Sequence, residues 1–364
     1  MVNTAILTIR DSKNYGNRLQ NVALLTMLSR YGESHTLRVE LGQGAAMGAL
    51  QKVARFGKRT ARKLIQLLPA QACHGRKLRF ISFDRYISEK GIASSSGATG
   101  VDCGKTIIVI GSDQVWNYTF GLTKDDLGVR LGMFTPGDKT IAYAASIGID
   151  EVDEGWKPIF KEGWSRISRI SVREDRAAEL VKDISGRDAV VVLDPTLMLT
   201  QKQWAEVFTD FVPEGDRYVL TYFLGCPSSE QESIISAVAK CHSARVRRIN
   251  DVRDRETYAA GPAEFVELFS KAQYVFTDSY HACCFSILYN IPFKVFNRAG
   301  YEGRASMNSR MRTLFRLFEL DDLMRDDEML PTYDWKRINS LLEQHREKSR
   351  EWLESALDVK PEAS

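Results

Sequence analysis

No apolar run in the chain reaches the roughly 18 residues a bilayer-spanning helix needs. The first residues, Met1 to Ile9, read as a short strand and not as a charged-then-apolar leader. The 6 cysteines (Cys73, Cys103, Cys226, Cys241, Cys283 and Cys284) form no C-x-x-C pair and no disulfide framework, so reduced thiols in a cytoplasm are expected. The 5 histidines stand singly and Cys73-His74 has no second half, so no metal site is expected. A spaced triple-glycine fingerprint is missing, which disfavours a nicotinamide cofactor. The net charge of +3 singles out no partner, and no recognised nucleic-acid module accompanies it.

What is present is an alternation of short apolar strands and helical patterns, the signature of α/β sheets. Strands are expected at Thr4 to Ile9, Leu37 to Val39, Thr106 to Ile110, Thr140 to Ala145, Ile167 to Val172 and Ala189 to Leu193. A helix is expected from Asn17 to Tyr31, and another from Gln201 to Phe211, before a turn-rich joint at Val212 to Asp216. A second set follows, with strands at Tyr218 to Leu224, Arg245 to Ile249, Tyr274 to Thr277 and Phe293 to Phe296. The expected organisation is two Rossmann-like domains facing a cleft, 1–200 and 201–330, with a C-terminal helix in 331–364. That helix should pack outside or cross back to the first domain.

One segment, about 45–85, reads as a helical insertion. No acid occurs between Glu40 and Asp84, whereas Lys52, Arg55, Lys58, Arg59, Arg62, Lys63, Arg76, Lys77 and Arg79 are basic. Val53, Phe56, Ile65, Leu67 and Leu68 give it an apolar side. Such a segment either lies on an anionic membrane surface or forms a solvated face.

Polar loops at the strand ends are where open α/β sheets bind ligands. After the first strand comes Asn14-Tyr15-Gly16-Asn17-Arg18-Leu19-Gln20. Glycine there permits close backbone approach, and Asn17 and Gln20 offer amides to hydroxyls. Gly111-Ser112-Asp113-Gln114-Val115-Trp116-Asn117 combines an acid, two amides and a tryptophan, either a carbohydrate contact or a cap above a core Trp116. Arg173, at the end of a buried strand, must pair, whether with a carboxylate or phosphate of a ligand or with Glu174 or Asp175. Asn308-Ser309-Arg310 opens a helix and offers a second cation. Thr277-Asp278-Ser279-Tyr280-His281 places a histidine at a helix N-terminus, a position that favours anions. His281 there is either a proton donor or a cap.

These segments, with Tyr143-Ala144-Ala145-Ser146 and Asp194-Pro195, resemble the polysaccharide pyruvyl transferase family, in its order, over roughly residues 4 to 318. The position often filled by Phe before the histidine is Tyr280 here, and Cys283-Cys284 replace small residues. The resemblance implies a glycosyltransferase-B-like fold and transfer of pyruvate from phosphoenolpyruvate onto two hydroxyls of a sugar as a cyclic ketal, in polysaccharide synthesis. It implies phosphoenolpyruvate as donor substrate with no further cofactor, a glycan acceptor, and His281 and Arg173 as functional residues. Asn14, Gly16, Asn17, Gln20, Ser112, Asp113, Gln114, Ser279, Tyr280 and Arg310 are the expected substrate contacts. An acceptor carried on lipid would give the basic segment a reason to meet the inner membrane surface. Two rival readings are a nucleotide-sugar glycosyltransferase, with Glu264 or Glu267 on the ribose, and a non-catalytic family member.

Overall fold

The computed structural model describes residues 1–11, 13–37, 70–91, 105–296, 308–320 and 330–359. Two wholly parallel sheets organise the chain, as expected for a two-sheet, glycosyltransferase-B-like α/β fold. The first sheet contains β1 (Asn3–Leu7), β2 (Ser34–Thr36), β3 (Thr106–Ile110), β4 (Thr140–Ala145), β5 (Arg169–Val172) and β6 (Val190–Val191), in the order β2-β1-β3-β4-β5-β6. The second contains β7 (Tyr218–Tyr222), β8 (Arg245–Ile249), β9 (Tyr274–Thr277) and β10 (Phe293–Val295), in the order β10-β9-β7-β8. The β-branched β3 and the wholly buried β4 are central because helices cover both faces, leaving no polar side to present.

Most elements start or end a few residues from the sequence reading, and two of the differences have a physical cause. The second strand lies at Ser34–Thr36, ahead of the expected Leu37 to Val39, of which 38–39 lie outside the described residues. As an edge strand β2 needs little apolar character; Leu37 follows it, buried, its N–H donating to the Ile6 carbonyl. The helix expected from Gln201 to Phe211 stops at Ala205. Its continuation is diverted because the Glu267 carboxylate accepts from the N–H groups of Thr209, Phe211 and Val212.

Helix α1 (Tyr15–Leu28) lies between the two sheets, and Thr26 is its one residue that is not buried. Tyr15 packs on Phe80, Tyr222 and Phe265 and donates its hydroxyl hydrogen to the Ala260 carbonyl, tying the first strand–helix unit to the second sheet. Helix α2 (Ala70–Lys90) buries Ala72, Phe80, Phe83 and Ile87. Of the basic segment, Arg76 stacks over Tyr15 and Tyr258 and donates to Asn250, while Arg79 pairs with Glu264 and donates to the Ala259 carbonyl. These two arginines therefore join halves of the protein. Lys77 is exposed, and Lys52, Arg55, Lys58, Arg59, Arg62 and Lys63 lie outside the described residues.

In chain order the remaining helices are α3 (Lys124–Arg130), α4 (Lys157–Arg166), α5 (Asp175–Ser185), α6 (Pro195–Met198), α7 (Gln201–Ala205), α8 (Ser229–Cys241), α9 (Arg255–Tyr258), α10 (Pro262–Lys271), α11 (Tyr280–Tyr289), α12 (Asn308–Leu317) and α13 (Trp335–Leu357). The C-terminal α13 crosses back to the first sheet. Arg337 near its start pairs with Glu319, Arg346 donates to the carbonyls of Leu197 and Leu199, and Glu354 and Trp352 reach Tyr31 and Tyr143. Among the described residues no helix is long and apolar enough to cross a membrane.

Candidate functional site

The site forms where the carboxyl ends of β1, β3 and β5 meet the start of α11. Asn14 caps α1 by accepting from the Asn17 N–H, so its side chain starts the helix. The following Gly16 leaves the imidazole its place: a Cβ there would sit 2.0 Å from Nδ1 of His281. The first turn of α1 and the first turn of α11 thus touch through a glycine and a histidine. Early N–H groups of both helices lack intrahelical partners and point positive charge toward this seam.

Arg173, the residue after β5, has no exposed side-chain surface and forks between two carboxylates. Its Nη2 donates to Asp113 Oδ1 and its Nη1 to Asp194 Oδ2, each at 2.7 Å. Of the two same-chain partners weighed from sequence, Glu174 lies at 3.9 Å, a loose ion pair, and Asp175 pairs with Arg316 instead. Glu174 is otherwise committed: its Oε1 accepts from Ser146 Oγ and from the N–H groups of Ile147 and Gly148. The Tyr280 ring covers the Arg173 guanidinium at 4.5 Å and lies 5.9 Å from that of Arg310. The same ring stands edge-on to His281, with centroids 5.5 Å apart.

Asp194 is the hub. Its Oδ1 caps α6 by accepting from the Thr196 N–H and hydroxyl, while its Oδ2 accepts from Arg173 and from Ser112 Oγ. His281 Nε2 lies 3.7 Å from the same Oδ2, too long for a hydrogen bond, and has no hydrogen-bond partner among the described residues. Burial alone would raise both aspartates. For Asp113 the charges of Arg173, His281 and Arg310 outweigh it and hold the carboxyl at about 2. For Asp194 the His281 contact and Arg173 hold it well below the usual carboxylate range. Burial, reinforced by the neighbouring Arg173, pushes the Arg310 guanidinium down to about 10.

The structure therefore gathers Gly16, Asn17, Ser112, Asp113, Arg173, Tyr280, His281 and Arg310. Asn17 Nδ2 lies 3.4 Å from Asp113 Oδ2, and its oxygen is held by Arg18 and the Asp11 N–H. Gln20 stands behind the seam, accepting from the Ser112 N–H and donating to Thr8. Gln114 turns away to Asn117, and Ser279 is the buried N-cap position of α11, its N–H donating to Thr277. Trp116 is fully buried beside Trp164, so the carbohydrate contact weighed for it is replaced by a core role. Glu264 and Glu267, weighed for ribose, are occupied: Glu264 by Arg79, Thr209 and the Gly261 N–H, Glu267 by Lys271 and the 209–212 turn.

Asp194 entered the sequence reading only through the Asp194-Pro195 motif, and Glu174 as a possible partner of Arg173, neither as a site residue. Asp194 before Pro195 reads as a helix cap, which it is, and nothing local shows that its second oxygen faces Arg173 and His281. Among the described residues no three His, Cys, Asp or Glu side chains are grouped to hold a metal ion.

Known structures resemble the whole chain only distantly. S. aureus MnaA with UDP aligns at 10% identity over 100% of this chain and 99% of its own, with a TM-score of 0.44. A UDP-N-acetylglucosamine 2-epimerase from Rickettsia bellii aligns at 8% identity over 98% and 97%, with a TM-score of 0.41. Medicago truncatula UGT71G1 complexed with UDP-glucose aligns at 12% identity over 98% and 98%, with a TM-score of 0.42. No curated protein sequence matches the chain significantly. The model of one family does match, over residues 14–299, a span that runs from the cap of α1 past α11 and contains every gathered residue except Arg310. The chain belongs to the polysaccharide pyruvyl transferase family.

Proposed function

We propose that the protein transfers pyruvate from phosphoenolpyruvate to two hydroxyls of one sugar, closing a cyclic ketal on a polysaccharide or its precursor. The observation that carries this reading is His281, buried at the start of α11 against Gly16, with its Nε2 turned to the Asp194 carboxylate, which leaves the other ring nitrogen to carry the proton. An imidazole so placed can give a proton to the methylene carbon of phosphoenolpyruvate. Protonation makes the neighbouring carbon oxocarbenium-like; a sugar hydroxyl adds there, and the bond from that carbon to the bridging oxygen breaks, the oxygen leaving with the phosphate. The second hydroxyl closes the ring, and the two hydroxyl protons balance the new methyl hydrogen and the released phosphate. Arg310 and the first turn of α11 supply positive field for the donor's carboxylate and phosphate. Arg173 serves differently from a free anion receptor, because both arms of its fork are committed to Asp113 and Asp194. It holds the charges that surround the reacting centre. The sugar faces the Asn17 and Ser112-Asp113 side of the seam.

The test is incubation with phosphoenolpyruvate and a panel of sugars and lipid-linked or nucleotide-linked glycans, following phosphate release and product mass. Phosphate released only when donor and acceptor are both present, with a pyruvyl ketal in the product, is the expected result. Glycosyl transfer from a nucleotide sugar, with no phosphate released from phosphoenolpyruvate, would overturn it.

A further inference from the structure

We propose that Asp194 is the positioning residue for His281: held by Arg173, Ser112 and Thr196, it fixes the imidazole and is the counter-charge of the protonated ring before the proton is given up. The inference rests on His281 being the proton donor, as argued above, and adds a residue that the sequence reading named only within the Asp194-Pro195 motif.

Three observations carry it. The carboxylate cannot swing away, because Oδ1 accepts from the Thr196 N–H at 3.0 Å and its hydroxyl at 2.8 Å, while Oδ2 accepts from Arg173 at 2.7 Å and Ser112 at 3.0 Å. The same Oδ2 faces His281 Nε2 at 3.7 Å, with no side-chain exposure on the aspartate and 9% on the histidine. Coulomb attraction at such a distance is weak in water but several-fold stronger in a partly desolvated site. On its other side the imidazole meets Gly16 with no room for a methyl group. The ring is thus clamped between a backbone and a fixed anion. A shift of about 1 Å would close the gap to a hydrogen bond, the tightening that catalytic contacts undergo when substrate enters. Asp194 also belongs to neither sheet: it lies in the connection between β6 and β7, and it touches the second half of the molecule through His281.

The test is a double-mutant cycle on turnover with phosphoenolpyruvate and an acceptor that supports activity. Asp194→Asn keeps the shape and the Thr196 contacts, and kcat should fall on the order of 10²-fold with KM for phosphoenolpyruvate little changed. In a His281→Ala background the same substitution should lower turnover no further, since its whole effect passes through the imidazole. An equal loss in both backgrounds would overturn the proposal and leave Asp194 as a cap and ion-pair partner. Near-wild-type turnover by His281→Ala alone would instead sink the proton-donor reading on which it rests, a separately visible failure. Should Asp194→Asn not fold, Thr196→Val loosens one side of the carboxylate without removing its charge. It should cost several-fold in kcat, again only while His281 is present, and a loss that persists without His281 would count against the proposal.

Discussion

Arg173→Ala should unfold the site before it disarms it. The guanidinium is the common partner of Asp113 and Asp194, with no exposed surface on Arg173 or Asp194 and 9% on Asp113. Removing one member of a buried ion pair typically costs about 3–5 kcal/mol, because the remaining charge is stranded. For a chain of this size that is a drop in thermal midpoint on the order of 10 °C. Arg173→Lys should recover only part of it, since an ammonium cannot fork to two carboxylates. The loss should also depend on pH. Asp113 is held at about 2, below its unfolded value, so its stabilisation is present above about pH 4 and disappears as pH falls through about 2. The midpoints of wild type and Arg173→Ala should therefore converge on acidification. Differential scanning fluorimetry across pH, paired with phosphoenolpyruvate binding by calorimetry, reads both effects. An unchanged midpoint with abolished donor binding would refute the reasoning and make Arg173 a direct receptor for the donor anion.

His281→Ala should lower turnover by ~10²–10⁴-fold, the range for loss of a general acid, while calorimetric binding of phosphoenolpyruvate persists. Gly16→Ala would place its methyl group 2.0 Å from His281 Nδ1, so the ring must move; turnover should fall about 10²-fold, with a crystal structure showing the displaced imidazole. Reversing the charges of Lys52, Arg55, Lys58, Arg59, Arg62 and Lys63 should weaken co-sedimentation with anionic vesicles at low salt and spare turnover on a soluble acceptor, each cation contributing about 1 kcal/mol at most. Reversing Arg76 or Arg79 should instead lower stability, because these contact Asn250 and Glu264 across the molecule. Wild-type protein that ignores such vesicles would end the membrane reading.

The strands that organise the fold were legible because burial on both faces writes itself into composition. Thr106–Ile110 and Thr140–Ala145 were expected at the residues where they occur, since a central parallel strand has no polar face to blur the pattern. Ser34–Thr36 was not, because an edge strand of Ser, His and Thr carries no such mark. Gln201 to Phe211 keeps a helical pattern to its end, yet a carboxylate 56 positions from Phe211 takes its backbone N–H and stops the helix. Local propensity yields there to a long-range acceptor.

The candidate site divides along the same line. His281 was legible because a polar residue between a strand end and a helix start has few places to go. Arg173 was legible as a buried charge in need of a partner, but the partner was not. Of the acids weighed from sequence, Glu174 spends one oxygen on Ser146 and two backbone N–H groups, and Asp175 turns to Arg316. The acids that take the guanidinium are 60 and 21 positions away. Asp113 reaches it from a residue with φ of 61°, a left-handed conformation in which an aspartate is tolerated more readily than most side chains. Asp194 reaches it from a cap whose first oxygen already explains its presence. A side chain with one evident duty conceals a second, and only the fold shows that Asp194 Oδ2 faces Arg173 and His281 together.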